Sequence, residues 1–215
     1  MRIVCISDTH SKHEEINHIP YGDVLIHAGD SLGFGSLSNL KDFDKWLGTL
    51  PHPNKILIAG NHDTCFEDDP EEARNIVKNA IYLEDSGVVI DGLKFWGSPW
   101  TPEFFDWAFN ARRGLQLFDK WQRIPLDTDV LITHGPPAGI LDLVVTHRGE
   151  AQVGCNDLLR RIFELKNLKA HVFGHIHSGY GTEIRKSDRE VRFVNASICT
   201  ERYQASNHPI VFDID

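Results

Sequence analysis

"RIVCISDTH", residues 2–10, is an apolar run, Ile3 to Ile6, that stops at Ser7 and closes on Asp8 and His10. An unbroken apolar run ended abruptly by polar residues suits a strand buried on both faces, because neither side of such a strand meets water. The same design recurs in "DVLIHAGD" (23–30), "KILIAGNHD" (55–63), "DVLITHGPP" (129–137) and "AHVFGHIH" (170–177). Five runs of this kind predict an α/β sheet. Their C-terminal ends carry Asp8, His10, Asp30, Asn61, His62, Asp63, His134, His175 and His177. In open α/β sheets that edge is where sites are assembled.

The segments between the runs support this reading. Leu40, Phe43, Leu47 and Leu50 keep the 3-to-4 spacing of an amphipathic helix. "DPEEARNIVKNA" (69–80) offers Asp69 as N-cap and Pro70 at the first helical position. A third helix is expected after Asn156, through Leu158, Leu159, Ile162 and Leu165. Residues 81–98 read as a meander turning at "DSG" and "DG", and "EVRFVNASICT" and "PIVFDID" read as strands. No repeat or low-complexity linker divides the chain, so residues 1–215 are read as one domain.

A chain of 215 residues buries roughly 70% of its unfolded surface without staples. Cys5, Cys65, Cys155 and Cys199 lack CxxC spacing and are read as reduced core thiols. There is no apolar run of about 18 residues and the N-terminus enters a strand directly, so a cytoplasmic, non-membrane protein is expected. The formal net charge of −9 weighs against general duplex nucleic-acid binding, which needs clustered Lys and Arg.

The strand-end set holds carboxylates, one amide and imidazoles but no thiolate. That mixture suits Mn, Fe, Zn or Ni better than Mg or Ca, which prefer all-oxygen shells. Any one such residue is ordinarily structural or solvated. His27, His52, His147, His171 and His208 are read that way. Five strand ends that all close on ligand-type residues are a different matter, because they can converge on one cleft. His175 and His177, two apart, are expected to share one face of a strand.

The blocks DxH (Asp8, His10), GD (Gly29, Asp30), GNHD (60–63), TH-G (133–135) and GHxH (174–177) resemble, in order and separation, the signature of the calcineurin-like metallophosphoesterases. "THGPPAGILDLV", "VGCNDLL" and "VNASICT" are most similar to the small metallophosphoesterase-domain subfamily first noted in fetal brain. The resemblance implies a layered α/β sandwich of two mixed β-sheets flanked by helices. It implies two divalent ions, Mn favoured: Asp8, His10 and His177 on one, Asn61, His134 and His175 on the other, and Asp30 bridging. Two carboxylates against two divalent ions leave a positive site that suits a phosphate ester.

The reaction expected is in-line attack at phosphorus by a hydroxide held on the ions, with His62 protonating the leaving group and Asp63 orienting the His62 ring. For Asp63 a turn-forming or capping role is weighed almost equally. The aromatic-rich stretch "FWGSPWTPEFFDWAFNARR" (95–113) suggests base stacking or core packing. Trp100, Arg112 and Arg113 are its candidate substrate contacts, and the resemblance points to cyclic nucleotides. Two other readings remain open: a nuclease or RNA-end-processing phosphodiesterase, and a weakly active metal- and nucleotide-binding regulator. Oligomeric state is not legible.

Overall fold

The structure, a computed structural model, describes residues 1–146 and 149–215; the reading of His147 as solvated lies outside the described residues. The strands are β1 (Arg2–Ile6), β2 (Val24–Ala28), β3 (Asn54–Ile58), β4 (Ile81–Tyr82), β5 (Ser86–Ile90), β6 (Leu93–Ser98), β7 (Thr101–Pro102), β8 (Asn110–Ala111), β9 (Val130–Thr133), β10 (Leu143–Thr146), β11 (Gly149–Gln152), β12 (Ala170–Phe173), β13 (Gly181–Lys186), β14 (Glu190–Asn195) and β15 (Ile210–Asp213). The helices are α1 (Leu37–Thr49), α2 (Cys65–Asp68), α3 (Pro70–Ile76), α4 (Leu115–Trp121) and α5 (Asn156–Glu164).

Two mixed sheets result. One has the order β15-β1-β2-β3-β4 and the other β13-β14-β12-β9-β6-β5. In the first, β1 to β4 are parallel and β15 is antiparallel to β1; in the second, β6, β9, β12 and β14 are parallel and β5 and β13 are antiparallel edges.

The strand period of two sorts each run onto opposite faces. Cys5, Ile26 and Ile56 stand abreast in register and join a core with Ile132, Val172 and Val194, which stand abreast in the other sheet. The alternate residues Val4, Leu25 and Leu57 pack outward with Leu40, Phe43 and Leu47 of α1. On the far side Leu131, Phe173 and Phe193 pack with Trp121 of α4 and Leu158 and Ile162 of α5. The molecule is therefore a four-layer sandwich, helix–sheet–sheet–helix. This accounts for the unbroken apolar runs, since each central strand is covered on both sides. Truncating one such residue, for example Ile26→Ala, is expected to cost about 2–5 kcal/mol.

α1 begins at Ser36, whose hydroxyl accepts from Asn39 N at 3.1 Å. Pro70 does open α3, but the helix ends at Ile76 and the Asp69 side chain makes no capping bond. The two sheets are stitched at one edge: Ser7 N donates to Ala196 O and Ile198 N to Ser7 O, both at 2.9 Å. That seam joins the end of β1 to the end of β14, and the strand-end residues gather around it.

Candidate metal centre

Asp8 leaves β1 with φ 51°, His10 follows at 45°, Asp30 leaves β2 at 53°, and His175 stands past β12 at 66°. The left-handed region is unfavourable for residues with a side chain and persists where surrounding bonds over-determine it. Here they do. Asp8 N donates to Gly29 O at 2.9 Å, His10 N to Asp30 O at 3.0 Å, and Gly174 N to His134 O at 2.9 Å. The turned backbone aims these side chains back over the sheet edge.

The carboxylates are held by hydrogen bonds from neighbouring loops. Asp8 Oδ2 accepts from Ser7 Oγ at 2.5 Å and Ser197 Oγ at 2.9 Å, and both carboxylate oxygens accept from His175 N at 3.0 Å. Its Oδ1 stands 3.4 Å from His177 Nε2. Asp30 Oδ1 accepts from His62 N at 2.8 Å, while Oδ2 faces His134 Nε2 at 3.3 Å and His10 Nε2 at 3.8 Å. Asn61 Oδ1 lies 3.0 Å from His134 Nε2.

The imidazoles are oriented by main-chain carbonyls, which only accept, so the nitrogen beside each must carry the proton. His134 Nδ1 donates to Ala28 O, His177 Nδ1 to Thr200 O and His62 Nδ1 to Gly33 O, each at 2.9 Å. All three thus have Nε2 left for the site. Two glycines make room. A Cβ on Gly60 would fall 2.3 Å from Asp30 Oδ1, and one on Gly174 would fall 2.1 Å from Asp8 Oδ2.

Electrostatics divide the histidines. Burial resists charge on His134, but the Asp30 carboxylate outweighs it and raises the imidazole to about 9. His177 is likewise raised, against burial, by Asp8. Burial keeps His10 low and holds His175 down to about 4. Although burial opposes ionisation of Asp8 and Asp30, the neighbouring histidines hold both carboxyls well below the usual range. The buried carboxylates demand positive charge, and His10 and His175 stay neutral with lone pairs to give.

The sequence profile of the calcineurin-like phosphoesterases matches residues 1–179. The chain belongs to that family. It is similar to the human and mouse proteins named metallophosphoesterase domain-containing protein 1, each 44% identical over 236 residues, spanning 99% of this chain and 71% of theirs. The Caenorhabditis elegans UPF0046 protein T07D4.2 is 38% identical over 243 residues, across 100% of this chain and 60% of that one. Among solved structures, TT1561 of Thermus thermophilus is similar with a TM-score of 0.61 at 14% identity, covering 89% of this chain and 88% of that one. At that identity the likeness concerns the fold. As a calcineurin-like phosphoesterase the chain is a metal-dependent hydrolase of phosphate esters.

The residues present fit divalent cations. Asp8, His10 and His177 offer one ligand atom each within 4.8 Å of one another, as do Asp30, His134 and His175, and so do His10, Asp30 and His62. His10 Nε2 and His177 Nε2 face each other at 3.2 Å, with Asp30 Oδ2 3.8 Å from the first and Asp8 Oδ1 3.4 Å from the second. Converging lone pairs of this kind are satisfied by a shared cation. The chemistry of the set matches the divalent ions that metallophosphoesterases use.

Several expectations are corrected. His175 and His177 do not share a strand face, because β12 ends at Phe173, His175 is left-handed and His177 opens a 3-10 turn, His177–Gly179. Asp63 does not hold the His62 ring. Its buried carboxylate accepts from Gly60 N and Leu32 N at 2.8 Å and from Ser31 Oγ at 2.9 Å, closing the GNHD loop onto the loop after β2. Burial and the Asp30 charge push that carboxyl up to about 6. Trp100 is spent on packing: its Nε1 donates to Asp85 at 3.0 Å, Lys120 Nζ lies 3.2 Å from its ring centre, and Phe109 meets it edge-on. Arg113 clamps the carbonyls of Val153 and Gly154 at 2.6 and 2.7 Å, and Arg112 is an exposed partner of Glu103.

Sequence reasoning missed four residues that the structure brings to the site. Ser7 and Ser197 hold Asp8, Trp107 packs on His62 with ring centres 4.2 Å apart, and Tyr203 stands 4.8 Å from His10 and 5.4 Å from His177. Trp107 lies within the aromatic stretch already singled out; the others carry no spacing signal.

Proposed function

We propose that this chain is a dinuclear phosphodiesterase that hydrolyses small phosphodiesters, cyclic nucleotides among them. The observation that carries the reading is the convergence, within one buried pocket of lone pairs, of Asp8, His10 and His177 beside Asp30, His134 and His175. Asp8, His10 and His177 would hold one cation and Asn61, His134 and His175 the other. Asp30 stands between the groups, its Oδ2 turned to His134 and to His10. When bound, two divalent ions supply Lewis acidity for the phosphoryl group and the attacking water. Manganese is favoured because the set mixes carboxylate, amide and imidazole without thiolate.

The chain's own residues position and protonate. Ser7 and Ser197 hold Asp8 Oδ2 and His175 N donates to both carboxylate oxygens, which fixes Asp8 with Oδ1 turned toward His177. His62 is the general acid of this reading. Gly33 O accepts a hydrogen bond from Nδ1–H and Trp107 covers the ring; as the imidazolium, His62 gives its Nε2 proton to the departing alkoxide and is left as the neutral Nδ1–H tautomer. Asp63 acts as a positioning residue, fastening the loop that bears both Asn61 and His62. The cysteines are all free and buried, which supports a reducing, cytoplasmic setting. Among the described residues no helix is long and apolar enough to cross a membrane.

The experiment is a turnover panel with Mn²⁺ over 3′,5′- and 2′,3′-cyclic nucleotides, bis-p-nitrophenyl phosphate and single-stranded RNA. Turnover of the small diesters with little action on RNA is expected. Preference for RNA would transfer the reading to a nuclease, and no turnover above blank would leave a binding protein.

A further inference from the structure

Two aromatic walls flank the centre, and neither belongs to the ligand set. Trp107 is half-buried on the loop between β7 and β8, and that loop is tied to the ligand-bearing Asn61 by a bond from Ala108 N to Asn61 O at 3.3 Å. Asn110 Nδ2 donates to the carbonyls of Phe104 and Phe105 on the same loop, whose rings are exposed. Tyr203, 47% exposed, projects beside His10 from a turn closed by Tyr203 N to Thr200 O at 2.8 Å and Thr200 N to Gln204 O at 2.9 Å. The Thr200 carbonyl of that turn also orients His177.

Phe105, Phe109 and Tyr203 all have φ near +55° (55°, 54° and 55°). Aromatic residues in the left-handed region are uncommon and are retained where the surroundings enforce them. Both walls are therefore built, not incidental. Both also face His62: Trp107 at 4.2 Å and Tyr203 at 6.5 Å between ring centres. Among the described residues Trp107 and Tyr203 make no ring contact with each other and the Tyr203 hydroxyl has no hydrogen-bond partner.

We propose that Trp107 and Tyr203 are the two walls of a slot over His62 and His10 that selects phosphate esters bearing a planar, aromatic substituent. The inference rests on reading the centre as a phosphate-ester site. It adds the substituent class and the residues that recognise it. A flat ring entering between the walls leaves water and meets two π faces, while its phosphoryl group reaches the ligand cluster below. An alkyl substituent gains far less from the same walls.

The test uses probes that cannot be hydrolysed. Calorimetry on the Mn²⁺-loaded protein compares phenylphosphonate with methylphosphonate, for the wild type, Trp107→Ala, Tyr203→Ala and Tyr203→Phe. The wild type is expected to prefer phenylphosphonate by about tenfold. Each alanine variant should lose most of that ratio, and Tyr203→Phe should keep it. The ratio is insensitive to the fraction of correctly folded protein, so a merely structural loss does not mimic the result. Equal affinities in the wild type, no binding of phenylphosphonate, or a ratio preserved in both alanine variants would each overturn the slot. Failure to hydrolyse bis-p-nitrophenyl phosphate, measured separately, would instead remove the phosphodiesterase reading.

Discussion

His177 Nε2 stands 3.2 Å from His10 Nε2, while His177 Nδ1 is held by the Thr200 carbonyl. The two rings come from the ends of different sheets, so the pair forms only when the sandwich is assembled. Removing one ring should remove a cation position and not the fold. His177→Ala is expected to lower bound Mn²⁺ from two equivalents toward one and to reduce turnover by at least about 100-fold. Elemental analysis after gel filtration, read beside the far-ultraviolet spectrum, checks both parts. Two equivalents retained by a folded variant would remove His177 from the ligand set.

Ser197 donates to Asp8 Oδ2, the carboxylate oxygen turned away from His177. Partners that orient metal ligands typically contribute roughly 10- to 100-fold in affinity. Ser197→Ala is therefore expected to weaken Mn²⁺ binding by about 10-fold, with Ser7 still holding the same oxygen. Competition against a chromophoric chelator measures it, and an unchanged affinity would show that Ser7 alone suffices.

Leaving-group dependence addresses His62. If its Nε2 delivers the proton, His62→Ala slows diesters with alkyl leaving groups by roughly 100-fold or more and spares p-nitrophenyl diesters, whose leaving group needs no proton. Equal losses across the series would argue that the His62 ring only supports the packing of the site, because the main-chain N–H that Asp30 Oδ1 accepts from survives the substitution.

Two histidines outside the centre contribute to the acid sensitivity of the apo-protein. His27 bonds Thr9 Oγ1 and His171 bonds Thr133 Oγ1, and burial holds each imidazole down to about 3. In the unfolded chain both titrate near about 6.5. Below that value the unfolded state binds protons that the native state does not, so stability falls as pH drops from about 6.5 toward 3. Each group contributes about 1.4 kcal/mol per pH unit within that window and nothing above it. Urea unfolding of metal-free protein between pH 7 and 4 should show a smaller slope for His171→Gln than for the wild type. Parallel slopes would place the acid sensitivity elsewhere.

The legible part of this molecule is the part written in runs and spacings. Ile3–Ile6, Leu25–Ala28 and Ile56–Ala59 announce doubly covered strands, and Asp8, Asp30 and His134 fall at strand ends because polar residues cannot continue such strands. What is lost depends on backbone turns. The left-handed φ of His175 breaks the two-residue period that would pair it with His177 on a strand. Asp63 and His62 are neighbours in sequence, yet one carboxylate turns inward to Gly60 and Leu32 while the ring next to it turns to Gly33. Ser197 and Tyr203 reach the centre from the far end of the second sheet, a proximity set by the Ser7–Ser197 seam and invisible to local pattern. The arginines after the aromatic stretch show the same limit, since Arg113 is consumed by a loop that only the fold brings near.

The proposal of a two-cation centre is tested most directly by titrating chelator-treated protein with Mn²⁺ and following bis-p-nitrophenyl phosphate turnover against bound metal. Negligible turnover is expected without metal, with a rate that keeps rising until the second equivalent is bound. Turnover that survives chelation, or that saturates at one equivalent, would contradict a centre built for two cations.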